Sequence, residues 1–268
     1  MRNDLIKPVL AFVLLVPGTA SAQAPPQPRL ANGKPDFTGV WTRARNPAPR
    51  RVAGGFGAGN PDTFGFAPET SPMTSWAEER YKLARMGVPD PFQLKAEEPD
   101  PALYPYCMPS GFPRAYTDPF PFRIVQTPDI LVQIFEYGRL VRQVDTDGRK
   151  HSEGAAPTFM GDSIGHWDGD ILVIETIDLQ EFTFVDNLGH PHSDALRVVE
   201  RMRRPEREAL EIEFMFEDPK AYTKPWTGRK VFRLLPSSTP IMETLTCEDY
   251  WLENYRRDLK SGKMQGRP

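Results

Sequence analysis

Residues 161–176 read GDSIGHWDGDILVIET, two strand-forming runs on either side of an Asp-Gly dipeptide at 168 and 169. Asp-Gly favours a type I′ turn, because that turn needs a positive φ at both central positions, so the segment predicts an antiparallel hairpin. Short β-branched and aromatic runs, separated by turn residues, recur along the second half of the chain. The predicted strands are one around Trp41 and residues 122–127, 130–136, 139–144, 163–167, 170–177, 195–204, 209–217, 229–235 and 240–247.

The number and spacing of these runs predict a mainly β fold. About ten short strands with regular turns are typical of an antiparallel β-barrel of the lipocalin-like kind or of a strongly bent sheet. One or two short helices are expected beside them. Ser75 followed by Glu78 resembles a capping box and predicts a helix to about Met86, and the apolar spacing within 249–259 predicts a closing helix.

Proline is unusually frequent in the first half of the chain. The sequence has 29 prolines in 268 residues, and 18 of them lie between Pro25 and Pro121, against a usual content of about 5%. The Pro- and Gly-rich loop region 46–121 therefore predicts a long N-terminal wrap that forms part of a site wall. We expect a Pro-rich lead-in over 23–35 and a single barrel-type domain over 36–268.

The charge of the chain excludes polyanionic partners. The formal net charge is −3, and the sequence has no basic tract. Nucleic acids and anionic membrane surfaces attract strongly basic patches, so neither is an expected partner. We expect a small-molecule partner and no membrane insertion, because no apolar run approaches the roughly 20 residues that span a bilayer.

The amino terminus has the three parts of a secretory signal peptide. Basic residues precede an apolar run over 9–16, and the small residues at 20–22 form a cleavage site. We expect removal of residues 1–22, with cleavage after Ala24 as the alternative. The mature protein is then periplasmic or secreted.

Export changes the expected state of the two cysteines, Cys107 and Cys247. Thiols in an oxidising compartment tend to pair, so we predict a disulfide between them, with two free buried thiols as the alternative. Closing so long a loop could stabilise the fold by about 4–5 kcal/mol in the chain-entropy model.

The predicted hairpin register brings two carboxylates together. With Asp168 and Gly169 as the turn, Asp162 lies opposite Glu175, and His166 lies on the same face. Such a pair is destabilising unless a cation lies between the carboxylates or one keeps its proton, which suits general acid–base catalysis. We predict His166 as the acid or base, tuned either by this pair or by Glu200. The alternatives are a core histidine and a solvent-facing hairpin end with an arginine nearby.

Glu200 stands out because it falls on the apolar face of its predicted strand. Burying an unpaired carboxylate costs several kcal/mol, so we expect Glu200 to be paired, protonated or facing a wet cavity, as a site residue or a structural ion pair. The opposite face of the same two strands is charged. Arg197, Arg201 and Arg203 are expected to pair there with Glu211, Glu213 and Glu217.

All four histidines fall within 42 consecutive positions, at His151, His166, His190 and His192. Three of them could converge on a divalent metal if the loop around 186–194 folds back over the hairpin. The spacing matches no defined zinc pattern, so we expect neither a metal nor an organic cofactor. His192 is retained as a candidate catalytic residue.

Two loops supply candidate substrate contacts. The stretch PSGFPRAY holds Arg114 between aromatic residues, and DPKAYTKPW combines charge with Tyr222 and Trp226. Loops carry function more often than core, although Pro-locked surface turns are the alternative. The sequence has no Gly-rich phosphate loop, nucleophile elbow or CxxC motif, which argues against nucleotide and serine-hydrolase chemistry.

The stretches GDSIGHWDGDILVIET, PYCMPSGFPR, GHPHSDALRVVER and DPKAYTKPWT together resemble a large family of secreted bacterial proteins that has no settled activity. The resemblance covers Gly33 to Cys247 and implies no particular mechanism. The stretch DFTGVW is also similar to the Gly-x-Trp opening of lipocalin-like barrels.

These features predict a secreted enzyme that transfers protons by general acid–base catalysis, as a lyase, isomerase or hydrolase. Its small organic substrate would occupy a barrel cavity lined by Asp162, His166, Glu200 and His192. Arg114 and Tyr222, with Trp226 and Glu175, would hold the substrate. The alternatives are a lipocalin-like carrier of an apolar ligand and a His-ligated metalloprotein.

Overall fold

The computed structural model describes residues 27–44, 65–66, 71–85, 109–181 and 183–242, together with 257, 260 and 261. Nine strands within these ranges close into a barrel, each paired with its sequence neighbours and the last with the first. They are β1 (Gly39–Arg43), β2 (Phe122–Gln126), β3 (Ile130–Phe135), β4 (Val141–Asp145), β5 (Asp162–Asp168), β6 (Ile171–Ile177), β7 (Arg197–Glu206), β8 (Ala209–Glu217) and β9 (Trp226–Leu234). The predicted β-barrel is confirmed.

The barrel is mixed rather than purely antiparallel. An odd number of strands cannot alternate in direction around a closed ring, so one neighbouring pair must be parallel. That pair is β4 and β5, which share one register position, Asp145 with Ile164. The antiparallel β5–β6 pair holds seven register positions. The connection 146–161 returns the chain to the end at which β4 began, as a parallel pair requires.

Helix α1 covers Ser75–Arg85, close to the predicted range. Its cap differs from the predicted Ser75–Glu78 box. The Thr74 Oγ1 atom accepts a hydrogen bond from the Ala77 backbone N–H at 3.3 Å, so the cap lies one residue earlier. Short 3₁₀ turns cover Arg114–Thr117 and Tyr137–Arg139.

Aromatic side chains of the chain itself occupy the barrel interior. The 3₁₀ turn at Arg114–Thr117 places Tyr116 inside the barrel, with its ring centroid 5.4 to 6.0 Å from those of several phenylalanines. The tyrosine contacts Phe112, Phe122, Phe135, Phe214 and Phe232. This packing occupies space in which both the predicted enzyme and the carrier alternative would hold a small molecule.

The β5–β6 turn lies one residue later than predicted. Gly169 and Asp170 form it, and Gly169 has a φ of 61°, as the first central residue of a type II′ turn requires. The register is therefore shifted by two residues. Asp162 lies opposite Ile177, and the predicted pairing of Asp162 with Glu175 is wrong.

The β7–β8 ladder follows the predicted pattern. Arg197, Arg201 and Arg203 lie opposite Glu217, Glu213 and Glu211. The apolar side chains predicted for the inner face are buried, namely Leu196, Val198, Met202, Leu210, Ile212, Phe214 and Phe216. The remaining predictions concern residues outside the described ranges. They are the signal peptide, both cysteines, most of the loop region 46–121, the strand 240–247 beyond residue 242, and the closing helix apart from the helical residues 257, 260 and 261.

No helix in the described part of the chain is both long and apolar enough to cross a bilayer.

Candidate functional site

Loops gather at one end of the barrel, which we call the loop end. Here β2 and β9 begin and β6 and β8 end. The segments 109–121, 178–196 and 218–225 cover this end together with α1. The helix approaches closely, because a Cβ at Gly189 would lie 2.8 Å from the Ala84 Cβ.

A buried Asp–His pair lies under this helix. The Asp186 Oδ2 atom is 2.8 Å from His190 Nδ1, and both side chains are fully buried. The other oxygen, Oδ1, accepts hydrogen bonds from the backbone N–H groups of Leu188 and His190, at 3.0 and 3.3 Å. Because a carboxylate only accepts hydrogen bonds, the Nδ1–H group of His190 donates to Asp186. The Nε2 atom of the neutral ring then carries the lone pair.

The His190 Nε2 atom is buried and has no hydrogen-bond partner among the described residues. The indole N–H of Trp226 is buried and equally unpartnered in that part of the chain, and its ring centroid lies 5.8 Å from that of His190. Tyr81 of α1 stacks on the imidazole at 4.7 Å. Each unsatisfied group costs about 1–3 kcal/mol, so a polar molecule that bonded to both the acceptor and the donor would relieve that cost.

A second carboxyl group at the loop end is linked to this pair. Asp118 is buried, its Oδ1 accepts from Asn187 Nδ2 at 2.9 Å, and Asn187 follows Asp186 directly. Burial raises the pKa of Asp118 against the opposing effect of Arg114. Arg114 is held by the same amide, because its Nε donates to Asn187 Oδ1 at 2.7 Å.

His192 is buried beside the pair but has satisfied hydrogen bonds. Its Nδ1–H donates to the Ser193 carbonyl at 3.0 Å, and its Nε2 lies 2.8 Å from Thr183 Oγ1. Burial lowers the pKa of His192, so the ring stays neutral. Tyr222 donates its O–H to the Pro191 carbonyl at 2.7 Å, which fixes the backbone between the two histidines.

Glu200 lies inside the barrel, paired with a cation that the sequence pattern does not reveal. Arg142 of β4 donates from Nη2 to Glu200 Oε2, and both side chains are buried. The remaining N–H groups of the guanidinium also donate hydrogen bonds. Their acceptors are Ser163 Oγ at 3.1 Å, Thr176 Oγ1 at 2.7 Å, Gln133 Oε1 at 3.0 Å and Tyr116 Oη at 3.3 Å. The Arg142 Cζ atom lies 3.8 Å from the centroid of the Phe112 ring. The structural ion-pair interpretation of Glu200 is thereby favoured.

His166, Asp162 and Glu175 lie on the outer face of the barrel. Ser163, Leu172 and other buried residues of β5 and β6 point into the barrel. His166 is exposed. The expectation that His166 faces an interior cavity is therefore wrong.

A cation does lie between the two carboxylates on that outer face when His151 is protonated. His151 Nδ1 is 3.2 Å from Asp162 Oδ2, and its Nε2 is 3.2 Å from Glu175 Oε1. Arg197 also donates to Glu175, so the alternative of an arginine near this end of the hairpin matches the structure.

The loop end thus brings together four of the predicted site residues, and the other four lie elsewhere. Arg114, His192, Tyr222 and Trp226 surround the Asp186–His190 pair. The sequence interpretation missed Asp186 and Asp118. A carboxylate four residues before a histidine in a loop is a signal that could have identified the pair.

The described residues contain no group of three or more His, Cys, Asp or Glu side chains arranged to hold a metal ion. The two histidines of the loop end engage Asp186 and Thr183 instead.

No family model matches the chain, and no curated protein sequence matches it significantly.

Proposed function

We propose that the mature protein is a secreted enzyme that transfers protons by general acid–base catalysis on a small organic molecule bound at the loop end, with His190 as the base. The observation that carries the proposal is the buried Nε2 of His190, which has no hydrogen-bond partner in the described part of the chain, on a ring whose Nδ1 is held by Asp186.

The pair supplies what a general base requires. Asp186 fixes the tautomer and the ring orientation, and it stabilises the imidazolium that forms when Nε2 takes a proton from the substrate. Tyr81 and Trp226 pack around the ring and limit access of water.

Asp118 is the matching acid. Because burial raises its pKa, this carboxyl group holds a proton more readily than an exposed aspartate and can return one to the substrate. The Trp226 N–H is a fixed donor that can bind a substrate oxygen. One proton leaves the substrate for His190, and one arrives from Asp118.

The rival function is a carrier, in which the same polar groups only orient a bound molecule. Aromatic side chains fill the interior of the barrel, so a ligand at the loop end is supported better than a ligand at the barrel centre. Turnover, rather than binding, separates the two functions.

The test begins with native mass spectrometry of the exported protein to identify a co-purified small molecule, which then serves in a turnover assay. We expect His190→Gln and Asp186→Asn each to lower kcat/KM by at least roughly 10²-fold, the usual effect of removing an acid or base. The exposed His166 provides the control, and His166→Gln is expected to keep full turnover. Full activity of folded His190→Gln would contradict the proposal, and binding without turnover in the wild type would support the carrier.

A further inference from the structure

The seam between β4 and β5 has fewer paired residues than any other neighbouring strand pair of the described barrel. The two strands share a single register position, Asp145 with Ile164, near the middle of β5. A ring of nine strands must contain one parallel pair, whereas ten strands can alternate throughout. A further strand placed antiparallel to β4 at the seam would restore that alternation locally.

Backbone N–H and C=O groups of β4 that do not pair with β5 face this seam. Thr146 N donates to Asp129 O at 2.8 Å, and Phe135 N donates to Leu140 O at 2.9 Å, so the even-numbered residues around β4 bond to β3. Odd-numbered residues of an extended strand direct their N–H and C=O groups to the other side. The backbone N–H and C=O groups of Val141 and Gln143 therefore point toward β5, but these residues lie outside the single register position that pairs β4 with β5.

A pocket of about 420 Å³ lies at this place. Val141, Gln143 and Asp145 form one wall, Asp162 and Ser163 form the other, and residues 158–161 line the space between them. Val141 is 56% exposed, although it is a large apolar residue in a strand. An exposed apolar side chain beside a strand edge with unpaired backbone groups is typical of sites that bind an added strand.

The charge around the pocket is negative. Asp145 and Asp162 lie on facing walls, and their ionic partners offset only part of the local charge. The neighbouring carboxylates are Asp145, Asp147, Asp162 and Glu175, and the neighbouring basic groups are Arg149, Arg197 and His151. The occupant that fits best therefore carries a basic side chain.

We propose that the seam binds an extended peptide segment, antiparallel to β4, that contains a basic residue two positions away from an apolar one, so that both side chains lie on the outer face. The peptide backbone pairs with the N–H and C=O groups of Val141 and Gln143. Its apolar side chain packs on Val141, and its basic side chain lies between Asp145 and Asp162. This site is separate from the acid–base site at the loop end, so either proposal can fail without the other.

The test is fluorescence anisotropy with the full mature protein and a labelled, terminally blocked Gly-Val-Thr-Arg-Thr-Gly peptide, in which valine and arginine lie on the same face of the extended chain. We expect saturable binding that weakens with salt. A peptide with glutamate in place of arginine should bind at least about tenfold more weakly. A peptide N-methylated at the central Thr-Arg-Thr amides should also bind at least about tenfold more weakly, because it lacks backbone donors.

Two variants place the binding on β4. Gln143→Pro removes the backbone N–H that faces the seam and keeps the ladder to β3, and we expect it to lower affinity at least about tenfold. Gln143→Ala is the matched control that keeps the backbone N–H and should bind like the wild type. The N-methylated peptide gives the same information if Gln143→Pro does not fold.

Three results would overturn the proposal. They are no saturable binding at millimolar peptide, equal binding of the N-methylated peptide, and equal affinity for blocked arginine amide alone. The last result would identify the pocket as a site for a small organic cation.

Discussion

Replacing Arg142 with methionine should destabilise the barrel strongly. The variant leaves the Glu200 carboxylate buried at 0% exposure without its cation, and the polar groups of β3, β5 and β6 around it lose their donor. Breaking a buried ion pair from one side costs about 3–5 kcal/mol. At about 2–4 °C per kcal/mol for a chain of this size, Tm should fall by roughly 6–20 °C.

The double variant Arg142→Met/Glu200→Leu separates the energy of the pair from the penalty of an orphaned charge. Replacing a buried pair by apolar residues is often neutral or stabilising, so we expect the double variant to regain most of the loss. Urea unfolding followed by tryptophan fluorescence, together with calorimetry, measures both variants. A single variant within about 1 kcal/mol of the wild type, or a double variant less stable than the single one, would refute the reasoning.

Further predictions concern pH dependence and α1. The two arginines that bond Glu211 lower its pKa to about 2. Glu211→Gln should therefore cost about 1–3 kcal/mol near neutral pH and progressively less as pH falls from the unfolded pKa through the folded pKa. Urea unfolding across this pH range tests the prediction. Burial lowers the pKa of His192. Folding stability should therefore fall as pH drops below about 6.5, because the unfolded chain then takes up a proton on this residue. His192→Gln should flatten this pH dependence in the same assay. Thr74→Ala should cost about 1 kcal/mol by removing the cap of α1. Calorimetry measures that loss, and an unchanged Tm would contradict the cap assignment.

The fold could be predicted because its determinants are local. Alternation in β7 and β8 predicted the inner and outer faces and the arginine–glutamate ladder, since one face of each strand is apolar and the other charged. The need of Glu200 for a partner followed from its place on the apolar face. The partner, Arg142, lies 58 positions earlier, and strand neighbours at such separations cannot be predicted from periodicity.

The site was harder to predict for three physical reasons. Glycine serves either as the second residue of a type I′ turn or as the first of a type II′ turn, so Gly169 alone left two registers open. The run Ile171 to Ile174 is apolar on both faces, so alternation could not show that His166 points outward. The Asp186–His190 pair lies in a loop, where hydrogen bonds rather than periodicity determine the conformation.

The availability of His190 Nε2 as a base is the central claim, and ¹⁵N NMR of histidine-labelled protein at neutral pH tests it most directly. We expect the Nδ1 proton to point toward Asp186, so that Nε2 carries the lone pair. We also expect the Nε2 resonance to be the one that shifts when the co-purified molecule is added. An Nε2–H tautomer, or an Nε2 resonance that this molecule leaves unchanged, would contradict it.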